Sequence, residues 1–318
     1  MPVRLADPGC EVVVVKSGGA SRTAVFVCQG RAVAQGRLAV GRFSDPVAEL
    51  VLRPDELTPV RSARGDAPAE PADGRQRLAL EAVRACAEIV VPRTVVIDDV
   101  VTGAVQRDGH AQVVVVGAGL DTRAWRLPAL SGATVFCVDH PASQADARDR
   151  TAALTPVARR LVLVPVDLSA QALVPALALA GHDASTPTVW VWEGVVPYLR
   201  RADVEATATA LAGRSARGSV LVVNYQTPSV SAAFGRRAAN LVAHLLGGDA
   251  VTSDEPWRST WTAQAMARLL TRRGFAVERD VNLLDVAAQL GSPTQHSRSL
   301  HNGRVAVARF DRPVRQGT

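Results

Sequence analysis

Residues 113–127, Val113-Val-Val-Val-Gly117-Ala-Gly119-Leu-Asp121-Thr122-Arg123-Ala-Trp125-Arg126-Leu127, hold the pattern richest in chemistry. Four β-branched residues in a row read as a strand buried on both faces, as in a parallel sheet. The run stops at Gly117-Ala118-Gly119, where the backbone can turn tightly and a ligand can approach with no Cβ in the way. A helix opening near Asp121 would point its free N–H groups and dipole at that ligand. The pattern is that of a nucleoside-cofactor loop.

Gly-x-Gly alone does not choose the cofactor. A dinucleotide loop needs a third small residue three positions on, so that a pyrophosphate can sit on the helix N-terminus. Thr122 stands there, and Asp121 before it puts a carboxylate where a pyrophosphate would be repelled. An acid suits a cofactor with positive charge and no phosphate, and S-adenosylmethionine has both properties. About twenty residues on, Thr134-Val-Phe-Cys-Val138-Asp139 reads as a second strand ending in a carboxylate able to accept both ribose hydroxyls. Asp139 suits either cofactor; the loop discriminates.

The elements that must position these residues follow from pattern. Strands are expected at about 112–116, 133–138, 161–165, 187–192 and 218–223, each followed by helix or loop. Late runs at about 275–280 and 304–310 read as a closing antiparallel pair. Together they predict an α/β, doubly wound, Rossmann-like sheet with a terminal hairpin and its ligand at the carboxyl ends of the first strands. The first 105 residues lack this rhythm and are expected to form a helical cap or lid; residues 106–318 form the core, with a substrate-pocket insertion at about 224–262. Within the cap, 21–36 reads as an amphipathic helix starting at a Ser cap. The stretch 54–73, rich in Pro, Ala, Asp and Arg, reads as a long loop with the character of a lid. A second helix is expected at about 76–89, ahead of Pro92-Arg93-Thr94, and a further one at 260–273.

Composition bounds the partners. The chain has 318 residues, 47% of them hydrophobic and only 4% aromatic, enough for a large core filled by Ala, Val and Leu. A net charge of +6 invites a nucleic-acid reading, but the arginines are scattered and no basic run is interleaved with stacking aromatics. Cys10, Cys28, Cys86 and Cys137 have no metal or disulfide spacing, so reduced, buried thiols and a cytoplasmic location are expected, with no metal site. No apolar run approaches a membrane span, and no signal peptide is read at the N-terminus.

The motifs, in order and spacing, resemble the leucine carboxyl methyltransferase family, and more closely its bacterial branch of small-molecule, polyketide-type O-methyltransferases of secondary metabolism. The resemblance rests on Gly117-Ala-Gly-Leu-Asp-Thr-Arg123, Val138-Asp-His-Pro141, Pro165-Val-Asp167-Leu168 and Trp192-Glu193-Gly194-Val-Val-Pro-Tyr198-Leu199. Upstream, Ser21-Arg-Thr-Ala24, Asp45-Pro46-Val-Ala48 and Arg93-Thr94-Val-Val-Ile-Asp98-Asp99 belong to it; downstream, so does Asn224-Tyr225-Gln226. It implies a class I methyltransferase fold and S-adenosyl-L-methionine as cofactor. By the same resemblance Arg93 would meet the methionine carboxylate, Gly117, Ala118, Gly119 and Asp121 would floor the methionine end, and Glu193 would bind the ammonium. Asp139 would hold the ribose, Asp167 with Leu168 the adenine, and His140 would be structural or lie on the adenine side. Arg22 or Thr23 would assist. Two departures, Arg22 for a lysine and Gln226 for an acid of the eukaryotic members, argue against protein phosphatase C-termini as substrate.

Methyl transfer from a sulfonium is an in-line displacement, catalysed largely by positioning. A carboxylate acceptor needs no base, whereas a hydroxyl does. No general base stands out, which favours a small carboxylic acid over a hydroxyl compound. Tyr198, Tyr225 and Arg258 are the catalytic candidates on the acceptor side, walled by Trp257 and Trp261, with Arg258 pairing the acid. An equal alternative has the two tryptophans only packing the 260–273 helix. The competing functions are a nicotinamide-dependent oxidoreductase and a catalytically silent S-adenosylmethionine-binding protein.

Overall fold

Alternating β-branched and aromatic residues dictate a sheet with two different buried faces. In a computed structural model that describes residues 21–66, 74–167, 170–228, 258–295 and 297–311, seven strands form one sheet. They are β1 (Gln112–Val116), β2 (Thr134–Asp139), β3 (Arg160–Pro165), β4 (Thr188–Trp192), β5 (Val220–Gln226), β6 (Phe275–Asn282) and β7 (Gly303–Phe310). Their order is β3-β2-β1-β4-β5-β7-β6. The first five run parallel, and β7 is antiparallel to both β5 and β6. The order reverses between β1 and β4, the switch point where such sheets bind ligands. The expected fold class and each expected strand are therefore present.

One face buries Val113, Val115, Val189, Val191, Val220 and Val222 against the N-terminal elements α1 (Arg22–Ala34), α2 (Pro54–Arg64) and α3 (Gly74–Gln106). The other buries Phe136, Trp190, Trp192, Leu221 and Tyr225 beneath α6 (Ala170–Leu179), α7 (Arg201–Gly213) and α8 (Ala263–Arg272). Strand alternation sends successive side chains to opposite faces, so the β-branched face lies under the cap and the aromatic face under the crossover helices. Completing the chain are α4 (Arg123–Arg126), α5 (Pro141–Thr151), α9 (Leu283–Gln289) and α10 (Ser297–Asn302). Among the described residues no helix is long and apolar enough to cross a membrane, and no group of three acids, histidines or cysteines could hold a metal.

Ser21 does cap α1, its hydroxyl accepting the Ala24 N–H at 3.4 Å. The amphipathic expectation is corrected, because the second half of α1 from Cys28 to Ala34 is buried all round. Gly30 makes this possible: a Cβ there would lie 2.8 Å from Cys86 Sγ on α3. Cys28, Cys86 and Cys137 are buried free thiols, each pushed up by burial, Cys28 and Cys86 to about 12; Cys10 lies outside the described residues.

Two further readings change. Residues 54–64 are not loop but α2, started by Pro54 at its first position and by Glu56 accepting the Arg53 N–H at 2.8 Å. Gly65 ends it in the left-handed region at φ 73°. The helix that was to stop near 89 instead runs 33 residues, straight past Pro92. Proline costs the ladder one donor, but Val90, Val91, Val95, Val96 and Ile97 are all buried on its two sides, and their packing outweighs the lost bond.

Candidate active site

The carboxyl ends of β1, β2 and β4 meet the cap at one place. The glycine loop after β1 is held by its own backbone: the Gly117 and Ala118 N–H groups both donate to Val138 O, at 2.8 and 3.0 Å. Gly119 N–H donates to Asp139 Oδ2 at 2.5 Å, and Asp121 N–H to Ala118 O at 2.8 Å. Gly119 has φ 49°, and a Cβ on it would lie 2.9 Å from the Ala24 Cβ of α1. The loop needs glycine here to turn and to let the cap close onto it.

The reason for rejecting a dinucleotide is revised. Asp121 does not project as a bare charge; it accepts the Arg123 N–H at 2.8 Å and pairs with the Arg123 guanidinium. The helix expected at Asp121 is a single turn, Arg123–Arg126. With the N–H groups of residues 117, 118, 119, 121 and 123 all committed internally, and only one turn of helix behind them, the loop offers a pyrophosphate no cradle.

A buried ionic cluster adjoins the loop. Arg93 of α3 donates from Nε to Glu193 Oε1 at 2.6 Å, and Arg123 Nη2 lies 2.8 Å from Glu193 Oε2. Arg123 Nε also binds Asp98 Oδ1 of α3 at 2.7 Å, while Arg126 Nη1 takes Asp98 Oδ2 at 2.7 Å. Further back, Arg31 Nε pairs with Asp45 Oδ2 at 2.8 Å and its Nη2 donates to Leu120 O at 2.6 Å. Thr122 Oγ1 donates to the same Asp45 oxygen at 2.7 Å. Four arginines (31, 93, 123, 126) thus face four carboxylates (45, 98, 121, 193), so the cluster is neutral. Asp45 and Arg123 are 1% and 3% exposed, and such charges persist only when paired.

Electrostatics follow from that neutrality. Burial pushes the Glu193 carboxyl up, but the guanidinium charges of Arg123, Arg93 and Arg31 outweigh it and hold it at about 2. Burial would discharge Arg123, yet Asp121, Glu193 and Asp98 keep its guanidinium titrating well above the usual arginine range. Glu193 and Arg123 are therefore both charged at neutral pH.

The other expected site residues fall into three groups. Asp139, at the end of β2, accepts the N–H groups of Gly119 and His140, the latter at 2.6 Å. Asp167 is exposed just past β3, two residues beyond Pro165, which pairs with Asp139 in register. His140 caps α5, its Nδ1 accepting the Ala142 N–H at 3.3 Å, and Thr23 is half-buried in the first turn of α1. Leu168 and Trp257 lie outside the described residues.

The backbone of Arg258 lies beside the turn that carries Tyr198. Tyr198 is half-buried in the 3-10 turn Val196–Tyr198, and the exposed Arg258 donates its backbone N–H to Pro197 O at 2.6 Å. Tyr225 lies elsewhere, which corrects its reading as a catalytic candidate on the acceptor side. It is fully buried on the aromatic face, and its hydroxyl donates to Asp280 Oδ2 at 2.6 Å, with Arg304 Nε on Asp280 Oδ1 at 2.9 Å. Burial and the Asp280 carboxylate push the phenol well above its usual range. Trp261 follows its packing alternative: 3% exposed, it sits in the same core, its indole N–H on Ser259 Oγ at 3.2 Å.

Arg31, Asp45, Arg123 and Arg126 received no role from sequence. The signal available was the pair Arg123 and Arg126, one helical turn apart directly after a cofactor loop, where unneutralised charge would not be buried.

Comparison with known proteins agrees with the geometry. A family model for leucine carboxyl methyltransferase matches residues 24–212, more than half of the chain. A relative from Mycolicibacterium vanbaalenii, inferred to be an S-adenosyl-L-methionine-dependent methyltransferase, is 33% identical over 224 residues, 69% of this chain and 68% of that protein. One of the same description from Mycolicibacterium paratuberculosis is 31% identical over 303 residues, 89% and 94% of the two chains. Among solved structures, an inferred methyltransferase from Thermobifida fusca covers 90% of this chain and 94% of its own at 16% identity, with a TM-score of 0.53, a likeness of fold. The chain belongs to the leucine carboxyl methyltransferase family and is an S-adenosylmethionine-dependent methyltransferase.

Proposed function

We propose that this chain methylates an oxygen of a small molecule, with a carboxylic acid as the preferred acceptor. The observation that carries the donor half is the side-by-side placement of Arg93 and Glu193 at the carboxyl end of β4. Opposed charges 2.6 Å apart match the carboxylate and ammonium of an α-amino acid, so the donor set fits S-adenosylmethionine. Arg93 would take the carboxylate, Glu193 the ammonium, Asp139 the ribose and Asp167 the adenine edge. Asp139 accepts the Gly119 and His140 N–H groups, and the two oxygens of a carboxylate offer about four acceptor sites in all. When bound, the cofactor supplies an electrophilic methyl group on sulfur.

The chain's own contribution is then to hold the acceptor oxygen in line and to keep water out. Tyr198 and Arg258 would then serve the acceptor, a reading supported by the Arg258 backbone N–H bound to Pro197 O, next to Tyr198. An arginine there favours an acid, already ionised at neutral pH and in no need of a base. A methyl-transfer screen with isotopically labelled cofactor over metabolite acids, phenols and alcohols tests this. Label entering esters of small acids supports the reading. Transfer confined to nitrogen, or to hydroxyl groups with a bell-shaped pH profile, overturns the acceptor assignment. Failure to bind S-adenosylhomocysteine overturns the donor site.

A further inference from the structure

We propose that Arg123 is a positioning residue for the amino-acid end of the cofactor. One guanidinium ties three carboxylates from three elements: Asp98 of α3 through Nε, Asp121 of the loop through Nη1, and Glu193 after β4 through Nη2. The inference rests on the donor site proposed above.

The two oxygens of Glu193 are held by different residues. Oε1 is on Arg93 and Oε2 is on Arg123. Arg93 holds Oε1 through Nε, so its Nη groups can turn to the methionine carboxylate while Oε1, with a lone pair to spare, receives the ammonium. Oε2 stays anchored, because Arg123 is itself clamped by Asp98 and Asp121 and is 3% exposed. Arg123 therefore fixes where Glu193 points while Arg93 turns its remaining N–H groups to the ligand. Only arginine can do this: its planar fork serves several acceptors at once from fixed directions, whereas a lysine ammonium on a flexible stem is a point charge.

Arg123 also sets the charge state of Glu193. The charged groups acting on Glu193 are Arg31 from α1, Arg93 from α3 and Arg123, with Asp98 and Asp121 on the far side of the Arg123 guanidinium. Of the cations, Arg123 acts most strongly on it. Without Arg123, a buried Glu193 with Arg93 drawn toward a ligand would take up a proton more readily.

The test is binding of two ligands to the full chain by calorimetry: S-adenosylhomocysteine, and 5′-methylthioadenosine, which keeps the adenosine but lacks the amino acid. Arg123→Lys should weaken S-adenosylhomocysteine by about 10- to 100-fold, the range for a lost hydrogen bond to a charged group, and leave methylthioadenosine within about twofold. Arg123→Gln should further make S-adenosylhomocysteine affinity fall between pH 8 and pH 6, where the wild type stays flat. Equal losses for both ligands would reduce Arg123 to scaffolding and overturn the proposal, as would an unchanged S-adenosylhomocysteine affinity. Should Arg123→Gln not fold, Arg123→Lys keeps the buried charge balanced and decides the question through the ligand pair. A wild type that binds methylthioadenosine but gains nothing from the amino acid would refute the donor site itself, a distinct outcome.

Discussion

The proposed donor and acceptor halves of the site are built from different materials. The donor half, at the ends of β1, β2 and β4, is bolted to the cap by buried ion pairs reaching back through Arg123 and Arg126 to Asp45, which is 1% exposed. The acceptor half is fastened mainly by backbone carbonyls. Pro197 O accepts the N–H groups of Arg258 and Ser259, Gln226 O accepts that of Trp261, and Arg201 donates to Thr260 O while its guanidinium lies 4.4 Å from the Trp261 ring centroid. Backbone contacts tolerate exchange of side chains, whereas a neutral buried cluster tolerates very little. The contrast suits an enzyme whose methyl donor is fixed and whose acceptor can differ among relatives.

The largest expected effect comes from breaking the cluster. Glu193→Ala or Asp45→Ala leaves buried guanidinium charge uncompensated and should cost about 3–5 kcal/mol in urea unfolding, the usual penalty for splitting a buried pair. Glu193→Ala should in addition abolish measurable cofactor binding. A loss below about 1 kcal/mol for both would mean that the cluster is solvated and the contrast false.

Acid should act on the donor half next. Glu193 is held at about 2, against 4.5 for an unperturbed carboxyl. Its folded value is depressed, so its contribution is fully present above about pH 4.5 and is lost as pH falls toward 2. By the linkage relation a shift of this size is on the order of 3 kcal/mol, and Glu193→Gln should flatten that part of the stability profile. A second slope begins at higher pH. Burial, aided by Arg214, lowers His182 from 6.5 to about 4, so the unfolded chain takes up a proton that the native chain refuses as pH falls from 6.5 to 4. Stability should decline across that window, less so in His182→Gln.

Tyr225→Phe sharpens the boundary between the halves. It removes one buried hydrogen bond while Arg304 still holds Asp280, a cost of about 1–2 kcal/mol. Cofactor affinity and turnover per folded molecule should stay within about twofold, since the Tyr225 hydroxyl is engaged by Asp280 and its ring is packed in the aromatic core. A tenfold fall in turnover at normal stability would return Tyr225 to the active site. The smallest effect is expected for Arg201→Ala, which loses a cation–π contact worth about 0.5–1 kcal/mol at an exposed site. It should raise the acceptor KM severalfold and leave cofactor affinity alone.

How much could be read in advance divides along the same line. All seven strands lie within about three residues of their expected positions, because period-2 burial and Gly or Pro punctuation are local signals. Asp139 and Glu193 were legible as acids ending apolar strands. The α2 helix was missed although Pro54, Glu56 and Gly65 mark its ends, since Val60 is its only buried residue and an apolar stripe is absent. Pro92 hid the continuity of α3 because the packing that overrides it is tertiary. Tyr225 was misread for a related reason: strand parity sends it to the aromatic face, and its partner Asp280 is 55 residues away. Long-range polar contacts, such as the Arg31 guanidinium donating to Leu120 O across 89 residues, leave no periodic trace.

Length sets a last constraint. Arg93 and Asp98 reach the cluster from one uninterrupted helix, five positions apart, about 7.5 Å along its axis. The helix is therefore a ruler between Glu193 and the Arg123–Arg126 pair. One residue inserted between Arg93 and Asp98 would turn the two side chains about 100° relative to each other and advance one by about 1.5 Å. No rotamer change could restore both pairs. Substitutions along this stretch can be absorbed one at a time; a change in its count cannot.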